Sequence, residues 1–75
     1  MNKMQITFKN PDEIVDFVNT VCRYEFDMDL KKGKATVDAK SLLGIMYLGL
    51  NNVIELQMYS EDCTELKKEL EKYAA

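Results

Sequence analysis

Few side chains in this sequence could do chemistry, because its 75 residues include no histidine and only two cysteines. Without an imidazole, the sequence lacks the side chain that most readily moves protons near neutral pH. Cys22 and Cys63 are too few and too isolated for a zinc site or a disulfide framework. Both fall on apolar stripes of predicted helices, so we expect buried, reduced thiols. The sequence predicts no metal, no cofactor and no enzyme.

Ser41 is the clearest candidate for a modification site. It stands where a predicted strand gives way to a short apolar helix. Its hydroxyl could accept hydrogen bonds from N–H groups of the first helical turn, which is the ordinary role of an N-cap. A phosphate on the same oxygen would gain from those N–H groups and from the helix dipole. The residues by themselves leave both roles open.

The second polar cluster is Asn10-Pro11-Asp12-Glu13. Asn10 can cap a helix, Pro11 suits the first helical position, and Glu13 stands where a capping-box acid reaches back. Asp12 and Glu13 also favour the positive end of the helix dipole. The start of a helix therefore explains these four residues fully.

The helix that follows Ser41 is predicted over Leu42–Leu48, with Gly49 as a left-handed stop, and it is apolar almost all round. One short helix on a small domain should bury a single side. We expect the core to receive Ile45, Leu48 and Leu50. We expect partial exposure of Leu42, Leu43 and Met46. Such a patch, with Tyr47 beside it, suggests a partner surface, unless a second helix covers it.

Four segments carry the period-two alternation of half-buried strands. They are Asn2–Phe8, Tyr24–Leu30, Ala35–Ala39 and Val53–Tyr59. A turn over Lys31–Lys34 joins the second and third strands as a hairpin. Apolar spacing predicts a first helix from Pro11 to about Arg23 and a closing helix capped by Ser60. This order predicts an α/β (α+β) fold in which helices cover one face of an antiparallel sheet, an open-faced sandwich.

The composition indicates one small globular domain over residues 1–75, with 47% hydrophobic residues. A net charge of −3 lacks the basic footprint of nucleic-acid binding. No apolar run approaches the roughly 18 residues of a membrane span, and no leader opens the chain. We expect a cytoplasmic protein, a monomer or weak homodimer, that binds protein partners and neither nucleic acid nor membranes.

The segment D-A-K-S-L-L-G-I-M, Asp38–Met46, followed by L-G-L at Leu48–Leu50, resembles the regulatory-serine region of HPr. HPr is the phosphocarrier family of the sugar phosphotransferase system. The family's elements are also matched, in the same order, by the hairpin at Gly33, the strand Ile54–Met58 and the last helix. The resemblance implies the order βαββαβα, with a four-stranded antiparallel sheet in the order 1-4-2-3 and three helices on one face.

The sequence departs from this family at the active site. In the family, a histidine at the start of the first helix takes a phosphoryl group from enzyme I and passes it to a sugar permease component. Counted back from Tyr24, Asn10 falls where that histidine belongs, and Asp12 falls where a neighbouring arginine belongs. Asparagine cannot hold a phosphoramidate, and aspartate repels a phosphate. We therefore do not expect this chain to transfer phosphoryl groups by the family's histidine-based chemistry.

In the Gram-positive branch of the family, a dedicated kinase phosphorylates the serine that matches Ser41, and the product is a corepressor. A family variant lacks the histidine and keeps the serine, as this chain does, although Asp12 replaces an arginine of the corepressor surface. The resemblance implies a binding or regulatory module, switched at Ser41. It would dock partners through Leu42, Leu43, Met46 and Tyr47. The alternatives are a phosphocarrier using Asp12 or Ser41, and a structural domain whose patch is buried by a second copy.

Overall fold

The computed structural model describes residues 2–75; Met1, the first residue of the predicted domain, lies outside them. In chain order the elements are β1 (Asn2–Ile6), α1 (Pro11–Val21), β2 (Met28–Lys32), β3 (Ala35–Asp38), α2 (Leu42–Leu48), β4 (Ile54–Met58) and α3 (Thr64–Leu70). A single 3-10 turn, Glu71–Tyr73, follows α3. The order is βαββαβα, as predicted.

The four strands form one antiparallel sheet in the order β1-β4-β2-β3, which confirms the predicted topology. Leu56 of the central strand β4 pairs with Met4 on one side and with Leu30 on the other. Strand alternation sends Leu30 and Leu56 into the core, while Lys31 points to the exposed face. The sheet thus has one covered and one open face, with the helices on the covered face.

The buried face of the sheet and the apolar stripes of the helices form a single core. The helices contribute Ile14, Phe17 and Val21 from α1, Ile45 and Leu48 from α2, and Leu66 and Leu70 from α3. The ring of Phe8 packs on Phe17 at 5.1 Å and on Tyr73 at 5.5 Å between centroids. This aromatic cluster joins the loop before α1 to residue Tyr73, close to the last residue described.

The second strand begins later than the alternation predicts. The prediction was Tyr24–Leu30, whereas β2 begins at Met28. Met28 pairs with Met58, the last residue of β4, so no neighbouring strand reaches back to Tyr24. The rings of Tyr24 and Phe26 instead pack on each other, with centroids 5.8 Å apart. The alternation of this segment reflects half-buried aromatic packing, and the predicted strand is wrong over residues 24–27.

The hairpin turn is shorter than predicted. It consists of Gly33 and Lys34 alone, because Lys31 and Lys32 belong to β2. Gly33 has φ +59°, which suits the first position of a two-residue type II′ turn. The other strands are shortened at their ends: β1 ends at Ile6, β3 ends at Asp38 and β4 spans Ile54–Met58.

The closing helix begins at Thr64 and is not capped by Ser60. The side-chain amide of Asn2 donates to the carbonyl oxygens of Ser60 at 2.8 Å and of Glu61 at 3.2 Å. Asn2, at the start of β1, thus holds the segment that precedes α3. Cys63 takes the N-cap position, without a side-chain cap bond.

The two cysteines differ in burial. Cys63 is buried, as predicted, whereas Cys22 is exposed. Helix α1 ends at Val21 and not at Arg23, and Cys22 is its C-cap residue. Because its thiol lies beyond the last buried turn, the prediction of a buried Cys22 is wrong.

A polar cluster ties the end of α1 to α3. The guanidinium of Arg23 and the hydroxyl of Tyr24 both donate to the carboxylate of Glu69. The hydrogen bond to Glu69 raises the pKa of Tyr24 from 10.0 to about 12, and the same bond lowers the pKa of Glu69. The cluster holds the irregular segment that links α1 to β2 against α3.

This cluster predicts a loss of stability in alkali. A tyrosine whose pKa is higher in the folded state stabilises the fold below the unfolded pKa, and that contribution disappears as pH rises from about 10 to about 12. Urea unfolding across this range should give a flatter pH dependence for Tyr24→Phe than for the wild type. Tyr47→Phe, on a ring that is 81% exposed, is the matched control and should keep the wild-type slope. An unchanged slope in Tyr24→Phe would contradict the assignment.

Candidate functional site

Ser41 is the N-cap of α2. Its backbone is extended, with φ −102° and ψ 108°, and its Oγ accepts a hydrogen bond from the N–H of Gly44 at 3.2 Å. Its carbonyl oxygen accepts from the N–H of Ile45 at 3.1 Å. The predicted capping role is therefore confirmed. Ser41 is half-buried.

A tight turn fixes Ser41 at the end of β3. The N–H of Ser41 donates to the carbonyl oxygen of Asp38 at 3.0 Å, and Oδ1 of Asp38 accepts from the N–H of Lys40 at 2.9 Å. Farther along α2, a Cβ atom on Gly44 would lie 3.0 Å from Cβ of Val37. Such a contact is tighter than most real Cβ contacts, so the glycine lets α2 pack closely on β3.

The other end of α2 is also fastened. Gly49 stops the helix with φ +87° and ψ −179°. That conformation is open almost only to glycine, and it is extended, not the left-handed helical one that we predicted. The carbonyl oxygen of Leu48 accepts from Nζ of Lys32 and from the side-chain amide of Asn52, both at 3.2 Å. With both ends held, α2 presents its outer face rigidly.

That outer face is apolar, and we call it the α2 ridge: Leu42, Leu43, Met46 and Tyr47. Their exposed fractions are 38%, 81%, 49% and 81%. The predicted exposure of the first three is confirmed, whereas Ile45 and Leu48 are buried and Leu50 is partly buried against the core. Within residues 2–75, no second helix covers the ridge. The exposure of these side chains does not by itself show that they bind a partner, so their binding role stays a prediction.

Other apolar side chains are exposed outside the predicted patch. Val15 of α1 is 44% exposed and Val53, just before β4, is 59% exposed. The exposure of Val15 could have been predicted from its position, because it lies off the buried stripe of α1 that Ile14 and Phe17 define.

Asn10 is the N-cap of α1, as predicted. Its Oδ1 accepts from the N–H of Glu13 at 3.0 Å. The carboxylate of Glu13 reaches back to the N–H of Lys9 at 2.7 Å, one residue earlier than in a standard capping box. Asn10 and Asp12 are both exposed. The amide oxygen of Asn10 is therefore committed to the helix start.

One backbone hydrogen bond joins the loop before α1 to the turn after α2. The N–H of Asn51 donates to the carbonyl oxygen of Phe8 at 2.7 Å. Asn51 has φ +60°, a left-handed conformation that asparagine tolerates better than most residues. The structure thus brings the two candidate regions, the start of α1 and the α2 helix, onto neighbouring parts of the surface.

Residues 2–75 contain neither a candidate metal site nor a helix suited to cross a membrane. No group of three acidic, cysteine or histidine side chains in this range lies close enough to hold a metal ion. None of the helices in the same range has the length and apolar character needed to cross a bilayer.

Comparison with known proteins gives a consistent result. A family model described as the PTS HPr component phosphorylation site matches residues 12–75, and so begins two residues after Asn10. The structure is similar to that of HPr-C-His from Thermoanaerobacter tengcongensis, with 30% identity, a TM-score of 0.78, and coverage of 96% of this chain and 89% of that one. Comparison with curated proteins gave no match.

Two further solved structures are similar. The phosphocarrier protein HPr from Bacillus anthracis is 28% identical, with a TM-score of 0.72 and coverage of 99% of this chain and 94% of that one. A histidine-containing phosphocarrier protein from Mycoplasma has a TM-score of 0.75, with coverage of 95% and 89%, but only 9% identity. At that identity the likeness concerns the fold alone.

Proposed function

Because this chain belongs to the HPr family of the phosphotransferase system, we propose that it serves as a binding or regulatory module and not as a carrier of phosphoryl groups. The observation that carries the proposal is the pairing of a sequence without histidine with an intact, exposed α2 ridge. Calorimetric titration with enzyme I of the phosphotransferase system tests it, since a member that docks without carrying phosphate should bind and remain unmodified.

The chemistry at the start of α1 supports the absence of transfer. A phosphoryl carrier needs a nucleophile that is free to attack and a nearby cation to neutralise the incoming charge. Asn10 offers an amide whose oxygen is engaged by the N–H of Glu13. Asp12 and Glu13 add negative charge in the same turn. A phosphoryl group would therefore meet repulsion and no imidazole acceptor.

The form of α2 supports docking. Four large apolar side chains project from a seven-residue helix, the kind of clustered anchor that carries most of the energy in protein interfaces. Ser41 caps one end of the helix, and Lys32 and Asn52 hold the other. Because the helix is already ordered, binding would not carry the conformational-entropy cost of ordering it.

Ser41 is suited to act as a switch of the same surface. A phosphate would add a charge of about −2 at the N-terminus of α2, immediately before Leu42 of the ridge. We expect the family's dedicated serine kinase, with ATP, to add one phosphate to the chain and none to Ser41→Ala, as read by intact mass. An unmodified wild-type chain, beside a modified histidine-containing HPr as control, would limit Ser41 to its capping role.

A further inference from the structure

The two edge strands of the sheet, β1 and β3, differ in whether another segment of the chain covers them. Along β1, the N–H of Thr7 donates to the carbonyl oxygen of Tyr73 at 2.9 Å, and the N–H of Ala75 donates to that of Gln5 at 3.0 Å. Residues 73–75 thus cover the outer edge of β1. Within residues 2–75, no segment covers the outer edge of β3 in this way. One sheet edge is therefore open.

The ladder identifies which backbone groups face that edge. The N–H of Ala39 donates to the carbonyl oxygen of Met28 at 3.0 Å, so the odd-numbered residues of β3 bond to β2. The groups of Thr36 and Asp38 then face away from the sheet. The carbonyl of Asp38 is engaged by Ser41, but no group outside the sheet, within residues 2–75, bonds to the backbone of Thr36. Thr36 offers one donor and one acceptor at the edge.

We propose that two copies of the chain pair through β3, antiparallel, about a two-fold axis at Thr36. The N–H of each Thr36 would donate to the carbonyl oxygen of the other. In this register, Lys34 of one copy lies opposite Asp38 of the second copy, and the arrangement occurs twice. Both side chains are exposed. The edge is therefore complementary to itself in charge as well as in hydrogen bonding.

Other symmetric registers are less complementary. An axis at Asp38 would place two carboxylates directly opposite each other, which is destabilising. An axis at Val37 would place Lys34 of one copy opposite Lys40 of the other, which is a like-charge pair. Short length and flanking charges usually protect an edge strand from chance pairing. Here the charges of Lys34 and Asp38 exclude unrelated strands and yet match a second copy, so they select the occupant.

Helix α2 leaves room for this pairing. It packs on β3 through Gly44, directly over Val37. With strands about 5 Å apart and a rise of about 3.3 Å per residue, the two Val37 residues would lie roughly 8 Å apart in the proposed register. Packed helices have interaxial distances of about 8–10 Å. The two α2 helices would therefore lie side by side across the two-fold axis, near the lower limit of helix packing.

Sedimentation equilibrium of the chain over increasing concentration tests the pairing. We expect a weak, concentration-dependent dimer, because only a short strand takes part. Thr36→Pro removes the N–H that faces the open edge, leaves the ladder to β2 untouched and should abolish the dimer. Thr36→Ala keeps that N–H and should dimerise like the wild type. Circular dichroism and the amide spectrum confirm that both variants fold.

Charge variants test the register. Lys34→Glu should weaken the dimer at least about fivefold, since two exposed ion pairs become two like-charge pairs. Asp38→Lys added to Lys34→Glu should restore it. Lys68→Glu, the same charge change on α3, should leave it unaltered. A chain that stays monomeric at every concentration, or a dimer that survives Thr36→Pro, overturns the proposal. A dimer that is lost only when charged residues are introduced on the α2 ridge would place the contact at the ridge, and this result would also overturn the proposed pairing.

Discussion

Placing charge on the α2 ridge should abolish docking and leave the fold intact. In the double variant Leu43→Glu/Met46→Glu, the altered side chains are 81% and 49% exposed, so the free energy of unfolding should change by no more than about 0.5 kcal/mol each. If the ridge supplies the anchors of the interface, affinity for enzyme I should fall at least roughly thirtyfold, the effect of losing about 2 kcal/mol. Calorimetric titration and urea unfolding measure the two quantities.

Matched substitutions on the buried side of the same helix should behave in the opposite way. Ile45 and Leu48 are 0% and 4% exposed, so truncation of either to alanine should cost about 2–5 kcal/mol of unfolding free energy. Where such a variant remains folded, its ridge is chemically unchanged. Unfolding of Leu43→Glu/Met46→Glu would show that the ridge belongs to the core. Unaltered binding by a folded double variant would remove the ridge from the interface.

The chain should accept no phosphoryl group from phosphoenolpyruvate and enzyme I. Intact-mass measurement after incubation should give the unmodified mass, because residues 9–13 contain no imidazole and Asp12 and Glu13 repel an incoming phosphate. The HPr protein from Bacillus anthracis, treated in parallel, should gain phosphate and so verify that the enzyme is active. Failure of transfer together with measurable binding is the result that the proposed module requires.

Phosphate found on the chain in that experiment would favour the alternative, a carrier with an unusual acceptor. Peptide mapping would distinguish the two candidates. An acyl phosphate on Asp12 should disappear in Asp12→Asn, and an ester on Ser41 should disappear in Ser41→Ala. Either outcome would overturn the proposal of a non-transferring module while leaving the fold and the family unchanged.

Local pattern determined a large part of this molecule. Spacing in α1 placed Ile14, Phe17 and Val21 on one buried face, and Asn10 and Pro11 fixed where that helix begins. In α2, two competing apolar sets on one short helix were enough to predict which set remains exposed. These features follow from interactions within a few residues, such as caps, helical periodicity and strand alternation. The sequence records such interactions directly.

Tertiary contacts decided the features that depend on distant partners. Tyr24 and Phe26 alternate as a strand would, yet they do not pair, because β4 ends at Met58 and offers them no neighbour. Helix α3 begins only at Thr64, and the side chain of Asn2 holds the residues before it by donating to the carbonyl oxygens of Ser60 and Glu61. A strand exists only where a second strand lies beside it, and the conformation of the residues before a helix depends on the distant groups that bond to them. Those conditions are set by residues far away in the chain, so no local pattern contains them.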